Sequence, residues 1–160
     1  MKDPQDRFEE LLDKLREQDY RITPQRLALL RLLSISEAHP RAADVHEQLR
    51  EQFPTISLAT VYKTLNLLKE MGEVRELSFC SDDARYDGHD PSPHPHLVCV
   101  RCHKIIDLDA ADLDGLEQDV ASNYDFRIMS HRLDFFGICS ECKHLESDGR
   151  IFETLSVPLT

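Results

Sequence analysis

Four of the five cysteines form two C-x-x-C pairs, Cys99/Cys102 and Cys139/Cys142, with 36 residues between the pairs. Each C-x-x-C turn can direct two thiolates at one ion, and two pairs supply the four tetrahedral ligands of a zinc site. Because four thiolates leave no open coordination position, the sequence predicts a structural zinc ion rather than a catalytic one. A redox pair is the alternative for one C-x-x-C, and the second pair disfavours it. The fifth cysteine, Cys80, is predicted to be a small, half-buried apolar residue.

A second group of possible metal ligands precedes the first cysteine pair. His94 and His96 are one residue apart, so both can face the same side of an incoming strand. Two imidazoles suit a transition metal, and Asp87, Asp107 and His39 are further candidate ligands. Each residue also has an ordinary interpretation, as a linker histidine, a turn aspartate or a loop histidine. Spacing alone therefore leaves two alternatives, a shared metal site or five structurally unrelated residues.

The elements that must position these residues begin with four predicted helices in the first half. Thr23 followed by Pro24 predicts the N-cap and first turn of the second helix, and Ser57 can cap the fourth, which ends before Gly72. His39 and Pro40 close the connection before the third helix. The predicted inward-facing positions of the four helices are Phe8, Leu11, Leu12 and Leu15; Leu27, Leu30 and Leu33; Val45, Leu49 and Phe53; and Val61, Leu65 and Leu68.

Strand patterns follow the fourth helix. EVRELSF alternates at Arg75, Leu77 and Phe79, and SDDARYDG turns back from it, which predicts a two-stranded hairpin. Helices followed by such a hairpin form a winged helix, an architecture that places its recognition helix in the DNA major groove.

The fourth helix leaves a set of positions outside its apolar stripe that can contact bases and phosphates; a solvated helix face is the alternative. Arg21, Gln25, Arg26 and Lys14 are further candidates for phosphate contacts. The outward positions of the fourth helix are Thr60, Tyr62, Lys63, Thr64 and Asn66.

The second half is predicted to mix strands and helices. GHDPSPHP has the composition of a linker; strands are expected in HLVCV and KIIDL, a helix in DLDGLEQDVASNY and a strand in FRIMSHRLDFFGIC. The predicted fold class is therefore α+β, with an N-terminal winged helix-turn-helix domain and a C-terminal α/β domain that carries the four-cysteine zinc site. The predicted boundaries are 1–86 for the winged helix, 87–96 for the linker and 97–145 for the zinc domain, while 146–160 shows no clear pattern.

Charge is distributed unevenly along the chain. Residues 1–86 have a net charge of −3 and residues 87–160 a net charge of −8, within a total of −11. DNA binding therefore requires that the first half place its basic residues on one face. No apolar run approaches the roughly 20 residues that span a bilayer, and the N-terminus has no hydrophobic signal core, so we expect a cytoplasmic protein with no membrane partner.

Motifs of both halves resemble the ferric uptake regulator superfamily over nearly the whole chain. They occur in order and at separations like those of the family. The matching stretches are RITPQR, HPRAADV, FPTISLATVYKTLNLL, GEVREL, ARYD, HPHLVCVRCHKIIDL, HRLDFFGIC and CSEC.

The resemblance implies a homodimeric, metal-dependent repressor that binds a palindromic DNA operator. The two cysteine pairs would hold structural Zn²⁺, and the regulatory site would hold Fe²⁺ or Mn²⁺ through His39, Asp87, His94, His96 and Asp107. Iron sensors of the superfamily typically have glutamate at the two aspartate positions. Aspartate at both is similar to the peroxide-sensing repressors, in which a ligand histidine, here His39 or His94, is oxidised.

A further metal site of some iron sensors would require side chains at Pro93, Pro95, Asp114 and His131. Proline cannot ligate through its side chain, so this site is expected to be absent, and Asp114 and His131 become a helix-face carboxylate and a strand histidine.

Three other functions remain as alternatives. Within the superfamily the chain could be an iron- or zinc-sensing repressor of metal uptake genes. A metallo-enzyme is conceivable because an open position on a His/Asp ion can activate water, although no general base is evident beside the cluster. The third alternative is a zinc-stabilised protein-interaction module.

Overall fold

The structure, a computed structural model, describes residues 3–36, 38–78, 84–108, 113–129 and 131–147. Cys80 and the tail after residue 147 lie outside these residues. The chain divides into two compact units, Met1–Pro91 and Ser92–Thr160. Across the described residues no helix combines the length and apolar character needed to cross a bilayer. The elements are α1 (Pro4–Glu17), α2 (Pro24–Ile35), α3 (Ala42–Gln52), α4 (Leu58–Glu70), β1 (Arg75–Leu77), β2 (Arg85–Asp87), β3 (His96–Cys99), β4 (Ile105–Asp107), α5 (Leu113–Tyr124), β5 (Asp134–Gly137) and α6 (Ser140–Ser147).

Local capping sets the helix boundaries of the first unit. The Thr23 hydroxyl accepts a hydrogen bond from the Arg26 N–H, and the Ser57 hydroxyl accepts one from the Thr60 N–H, which confirms both predicted N-caps. Each bond satisfies a backbone donor that the first helical turn leaves without a partner. Gly72 follows α4 with φ +75°, the left-handed conformation that ends many helices and favours glycine.

The four helices enclose one apolar core. Leu12 and Leu27 are partly buried and pack against this core, as predicted, whereas Phe53 lies after the end of α3. Tyr86 of β2 is buried in the same core, so the β1–β2 hairpin is anchored to the helices. The buried members are Phe8, Leu11, Leu15, Leu29, Leu30, Leu33, Ala42, Val45, Leu49, Val61, Leu65, Leu68, Val74 and Tyr86.

The predicted hairpin is present as the antiparallel pair β1–β2. Arg75 pairs with Asp87 and Leu77 with Arg85. Phe79 and the turn lie outside the described residues. The four helices followed by this hairpin confirm the predicted winged-helix architecture of the first unit.

The second unit contains a three-stranded sheet in the order β4-β3-β5, followed in sequence by α6. β3 runs antiparallel to β4 and parallel to β5. The prediction of a strand throughout 126–139 is wrong, because β5 spans only Asp134–Gly137. A strand needs a neighbour for its backbone hydrogen bonds, and β3 offers β5 only the four residues His96–Cys99. Helix α6 was not predicted.

Gly88, directly after β2, is required by a close approach to α2. A Cβ added at Gly88 would lie 2.9 Å from the Cβ of Leu33, a fully buried residue whose own Cβ cannot rotate away. We expect Gly88→Ala to lower the free energy of unfolding by about 1–3 kcal/mol, as other overpacked cores do. Urea unfolding followed by circular dichroism measures this change.

The matched control is Gly115→Ala in α5, where an added Cβ meets nothing within 4 Å. Alanine favours a helix interior over glycine by about 0.5–1 kcal/mol, so this variant should be at least as stable as the parent. Equal unfolding of Gly88→Ala and the parent would contradict the close approach.

Candidate metal centres

The four cysteines of the two C-x-x-C pairs come together in the second unit. Cys99 ends β3, Cys102 follows in the β3–β4 turn, and Cys139 and Cys142 lie at the start of α6. All four Sγ atoms lie within 4.8 Å of one another, and Cys102 Sγ is 3.7 Å from Cys139 Sγ. A tetrahedral zinc ion with Zn–S bonds of ~2.3 Å separates its sulfurs by about 3.8 Å. The donor set and its spacing therefore fit zinc.

The protein environment gives these thiols different proton affinities. Burial alone would raise the pKa of the Cys99 thiol, but backbone N–H groups of Cys102, Cys139 and Arg101 outweigh it and lower the pKa to about 6. Burial, followed by hydrogen bonds with the other three cysteines, raises the pKa of Cys142 to about 12. Zinc binds thiolates, so loading the site must release protons, and its zinc affinity should rise with pH.

A second donor cluster lies at the opposite end of β3. His94 Nε2 is 3.3 Å and His96 Nε2 is 3.8 Å from the same oxygen of Asp107, Oδ1. The two imidazole rings are tilted, with centroids 4.6 Å apart. The antiparallel register of β3 and β4 creates this arrangement, because it places His96 directly opposite Asp107. Two imidazole nitrogens and a carboxylate therefore converge without any change in the strands.

Backbone and carboxylate acceptors set the tautomer of both histidines. His94 Nδ1 is 2.9 Å from the Ser92 carbonyl, and His96 Nδ1 is 3.0 Å from Asp134 Oδ1. Each acceptor requires a proton on Nδ1, so in the neutral rings the lone pair is on Nε2, the nitrogen that faces Asp107. Metal-binding histidines usually have such a partner on the other ring nitrogen. The side chains of His96 and Asp134 are 2% and 7% exposed, so the pair is shielded from water.

The other two predicted ligands, His39 and Asp87, belong to the first unit and are 1% exposed each. Arg41 bridges Arg85 in an antiparallel register, and the Tyr86 N–H donates to the Pro40 carbonyl at 3.0 Å. The segment that contains His39 therefore runs beside β2, the strand that ends at Asp87. His39 has φ +49°, a left-handed conformation that costs energy in a residue other than glycine.

The further metal site that the sequence disfavours involves four positions, of which the structure describes three side chains. Pro93 and Pro95 have no ligating side chain, and the side chain of Asp114 lies outside the described residues. His131 Nδ1 instead lies 3.1 Å from Glu117 Oε2, in an exposed ion pair when the imidazole is protonated.

The predicted DNA-contacting face of α4 is exposed at four of its five positions. Thr60, Tyr62, Lys63 and Asn66 are exposed, with Tyr62 at 43%. Thr64 was assigned to this face wrongly: it is 4% exposed, and its hydroxyl donates to the Thr60 carbonyl within the helix. Threonine has apolar character on its methyl side, so sequence pattern alone did not separate it from the outward residues.

Arg21, Gln25 and Arg26 lie around the start of α2. Arg21 is exposed, while Gln25 and Arg26 are partly buried. Arg26 Nη1 donates to the Arg21 carbonyl at 2.5 Å, which joins the chain before the helix to its first turn. The exposed Arg21 is thus better placed for a phosphate contact than the two partly buried residues.

Asp134 is a functional candidate that the sequence interpretation missed. It lies inside a stretch predicted as a strand, 38 residues after His96. Its polar side chain in the otherwise apolar run LDFFGI was the available signal. Arg132 also hydrogen-bonds Asp134, through the second carboxylate oxygen.

Comparisons with known proteins agree with these features. The sequence profile of the ferric uptake regulator family matches residues 17–136. The chain is 41% identical over 140 residues to the peroxide operon regulator of Bacillus subtilis, covering 88% of this chain and 96% of that protein. It is 39% identical over 136 residues to the peroxide-responsive repressor of Staphylococcus epidermidis, covering 85% of this chain and 90% of the relative. The fold resembles the Helicobacter pylori ferric uptake regulator, with TM-score 0.76, 22% identity and coverage of 89% and 95%.

The cysteine cluster predicts that zinc stabilises the second unit. Apparent zinc-binding free energies at such sites are roughly 10–16 kcal/mol, comparable to the stability of a whole domain. Cys99→Ser should therefore lose zinc and unfold the second unit, as measured by elemental analysis and amide hydrogen exchange. Cys80→Ser, the control, should retain both. A folded second unit in Cys99→Ser without zinc would exclude a structural role for the ion.

Proposed function

Because the chain belongs to the ferric uptake regulator family, we propose that it is a transcriptional repressor that requires Fe²⁺ or Mn²⁺ to bind DNA and is released by peroxide. The observation that carries the proposal is the convergence of His94 Nε2, His96 Nε2 and Asp107 Oδ1 in a chain whose curated relatives respond to peroxide. The family consists of transcriptional regulators, and the enzyme alternative is set aside on that ground.

The proposed regulatory site adds His39 and Asp87 to the three donors of the second unit. A set of three nitrogens and two carboxylates suits Fe²⁺ and Mn²⁺, whereas the four thiolates suit zinc. Support within the first unit comes from the burial of His39 and Asp87 and from the pairing of the segment after His39 with β2, the strand that ends at Asp87. The two metal centres thus differ in ligand softness, which allows each to select its own ion.

Ligands from both units make the regulatory ion a switch. Binding of one ion by His39 and Asp87 and by His94, His96 and Asp107 would fix the orientation of the DNA-binding unit. In a homodimer, this orientation sets the spacing between two copies of α4, which must match two half-sites of a palindromic operator.

A homodimer is supported by an apolar face on the sheet of the second unit. Leu97, Ile106 and Phe135 are neighbours across β4-β3-β5 and are 40%, 42% and 49% exposed. Three large apolar side chains side by side are typical of a protein interface rather than of a surface in water. We therefore assign this face to the contact with a second copy.

Peroxide sensing is proposed to proceed by oxidation of a ligand histidine. An Fe²⁺ ion held by these ligands would supply the redox chemistry that cleaves the peroxide O–O bond, without being consumed in the net reaction, whereas Mn²⁺ would not readily supply it. In net terms one ring C–H of His39 or His94 becomes C–OH, and the remaining oxygen and two hydrogens of H₂O₂ leave as water. The modified ring binds metal more weakly, so the ion and then the DNA dissociate. Asp107, one methylene shorter than glutamate, would leave more room for peroxide beside His94 and His96.

The first experiment tests this sensing reaction. Brief peroxide treatment of the Fe²⁺ form should add one oxygen to the peptide that contains His39 or His94 and abolish the mobility shift of operator DNA. The Mn²⁺ form should stay unmodified and bound. Asp107→Glu should keep metal-dependent DNA binding and lose the response to peroxide. If the Fe²⁺ parent stays on DNA with both histidines intact, the chain senses metal supply instead.

The second experiment tests α4 as the element that reads DNA. Tyr62→Ala and Lys63→Ala should weaken operator binding without changing zinc content, and Lys63→Ala should reduce the salt slope of log K by about one if Lys63 contacts a phosphate. Lys104→Ala removes the same charge from the second unit and serves as the control. DNA affinities equal to that of the parent for both α4 variants would show that another surface reads the operator.

A further inference from the structure

Arg7 is a fully buried cation in the first unit. Its side chain is 0% exposed, and all three guanidinium nitrogens have hydrogen-bond partners. Nη1 contacts Glu73 Oε2 at 3.0 Å and Glu10 Oε2 at 2.9 Å, and Nη2 donates to the Glu73 carbonyl at 2.6 Å. Lys14 Nζ lies 2.5 Å from the other oxygen of Glu73. Two cations and two carboxylates therefore form a neutral set.

The remaining nitrogen of Arg7 leaves this set and reaches the end of the hairpin. Arg7 Nε donates to the Gly88 carbonyl at 2.9 Å, a contact between residues 81 positions apart. Gly88 follows Asp87 directly, so Arg7 binds the backbone carbonyl one residue after the proposed ligand Asp87. A buried hydrogen bond from a charged donor is worth more than one between neutral groups, so this contact is a strong restraint on the backbone.

A second bond fixes the same segment from the other side. His89 Nδ1 lies 2.7 Å from the Ser34 carbonyl in the last turn of α2, and His89 is 4% exposed. The close approach of Gly88 to Leu33 lies between the two bonds. Residues 87–89 are therefore held against α1 by the Arg7 bond and against α2 by the His89 bond. The absence of a side chain at Gly88 allows the close approach to α2.

We infer that Arg7 is a positioning residue for the proposed regulatory metal site, acting on Asp87 through the Gly88 carbonyl. The inference rests on the proposed function in that it takes Asp87 to be a metal ligand. Asp87 is the last residue of β2, which is three residues long, so the strand alone restrains the Asp87 backbone weakly. The Arg7 bond holds the backbone after Asp87 in place before metal arrives, and the metal therefore does not have to order it.

Removing a positioning partner of a metal ligand typically lowers metal affinity 10–100-fold. Because Arg7 acts through the backbone of a neighbour, we expect a loss near tenfold in Mn²⁺ affinity for Arg7→Met, measured by titration of the zinc-loaded protein at 25 °C. At saturating Mn²⁺ the operator affinity should equal that of the parent. In the protein without Mn²⁺, amide hydrogen exchange at residues 88 and 89 should be faster than in the parent.

Arg7→Met removes one cationic partner of the buried Glu73 carboxylate, and this loss could prevent folding. A second variant therefore removes the carboxylate as well. Arg7→Met combined with Glu73→Met removes both buried charges and still removes the Gly88 bond, and the same loss of Mn²⁺ affinity is expected. Glu10→Gln removes an ion pair of Arg7 and keeps the Gly88 bond, so its Mn²⁺ affinity should equal that of the parent. Leu49→Ala destabilises the same core without touching residues 87–89 and should also leave Mn²⁺ affinity unchanged.

Asp87→Ala distinguishes failure of the positioning role of Arg7 from failure of the proposed metal site. If Asp87→Ala weakens Mn²⁺ binding and the Arg7 variants do not, the positioning role is wrong and the proposed site stands. If Asp87→Ala binds Mn²⁺ like the parent, the proposed site itself is wrong, and the role of Arg7 falls with it. Equal losses in Arg7→Met and Leu49→Ala would show that Arg7 contributes only general stability.

Discussion

Four residue pairs between β3 and β5 determine the geometry of both donor clusters in the second unit. At one end of this parallel register His96 lies opposite Asp134, and at the other Cys99 lies opposite Gly137, two residues before Cys139. A slip by one residue would turn His96 away from Asp134 and would separate the two cysteine pairs. Among the described residues the sheet has three strands, so few other strand contacts are available to maintain this register.

A zinc ion bound by the four thiols would explain why a sheet of this size is sufficient. The four cysteines lie at the end of β3, in the following turn and at the start of α6, so an ion bound by all four would hold β3 and β5 together at one end. Lys104 adds an exposed ion pair with Glu141 across the same two segments, which contributes little in water. The proposed zinc site would therefore contribute most of the restraint on the register that also positions His96.

The sequence was most informative where the signal is local. N-caps at Thr23 and Ser57, the glycine at 72 and the helical spacing of Leu65 and Leu68 all depend on neighbours within a few residues, and the structure agrees with them. The C-x-x-C spacing is also local. By contrast, the length of β5 depends on how many residues of β3 are available to pair with it. The sequence pattern of residues 126–139 carries no information about that number.

Contacts between distant residues account for what the sequence could not predict. Asp134 acquires its role from the parallel pairing with His96, and Arg7 acquires its role from Gly88, 81 positions away. Read alone, Asp134 is a polar residue in an apolar run, and Arg7 is one charge in a charged first helix. Only the fold shows that one sets a histidine tautomer and the other is buried.

The shared strand β3 also implies an order of maturation. A newly made chain in which zinc has not yet joined its thiols would lack this link between β3 and β5, so the pairing of the His96 imidazole with the Asp134 carboxylate would be held less firmly. Under the proposed function, zinc binding would then precede sensing, and a cell starved of zinc would accumulate chains that contain every proposed regulatory ligand and fail to respond. The zinc ion would thus control the assembly of a second metal site with which it shares no ligand.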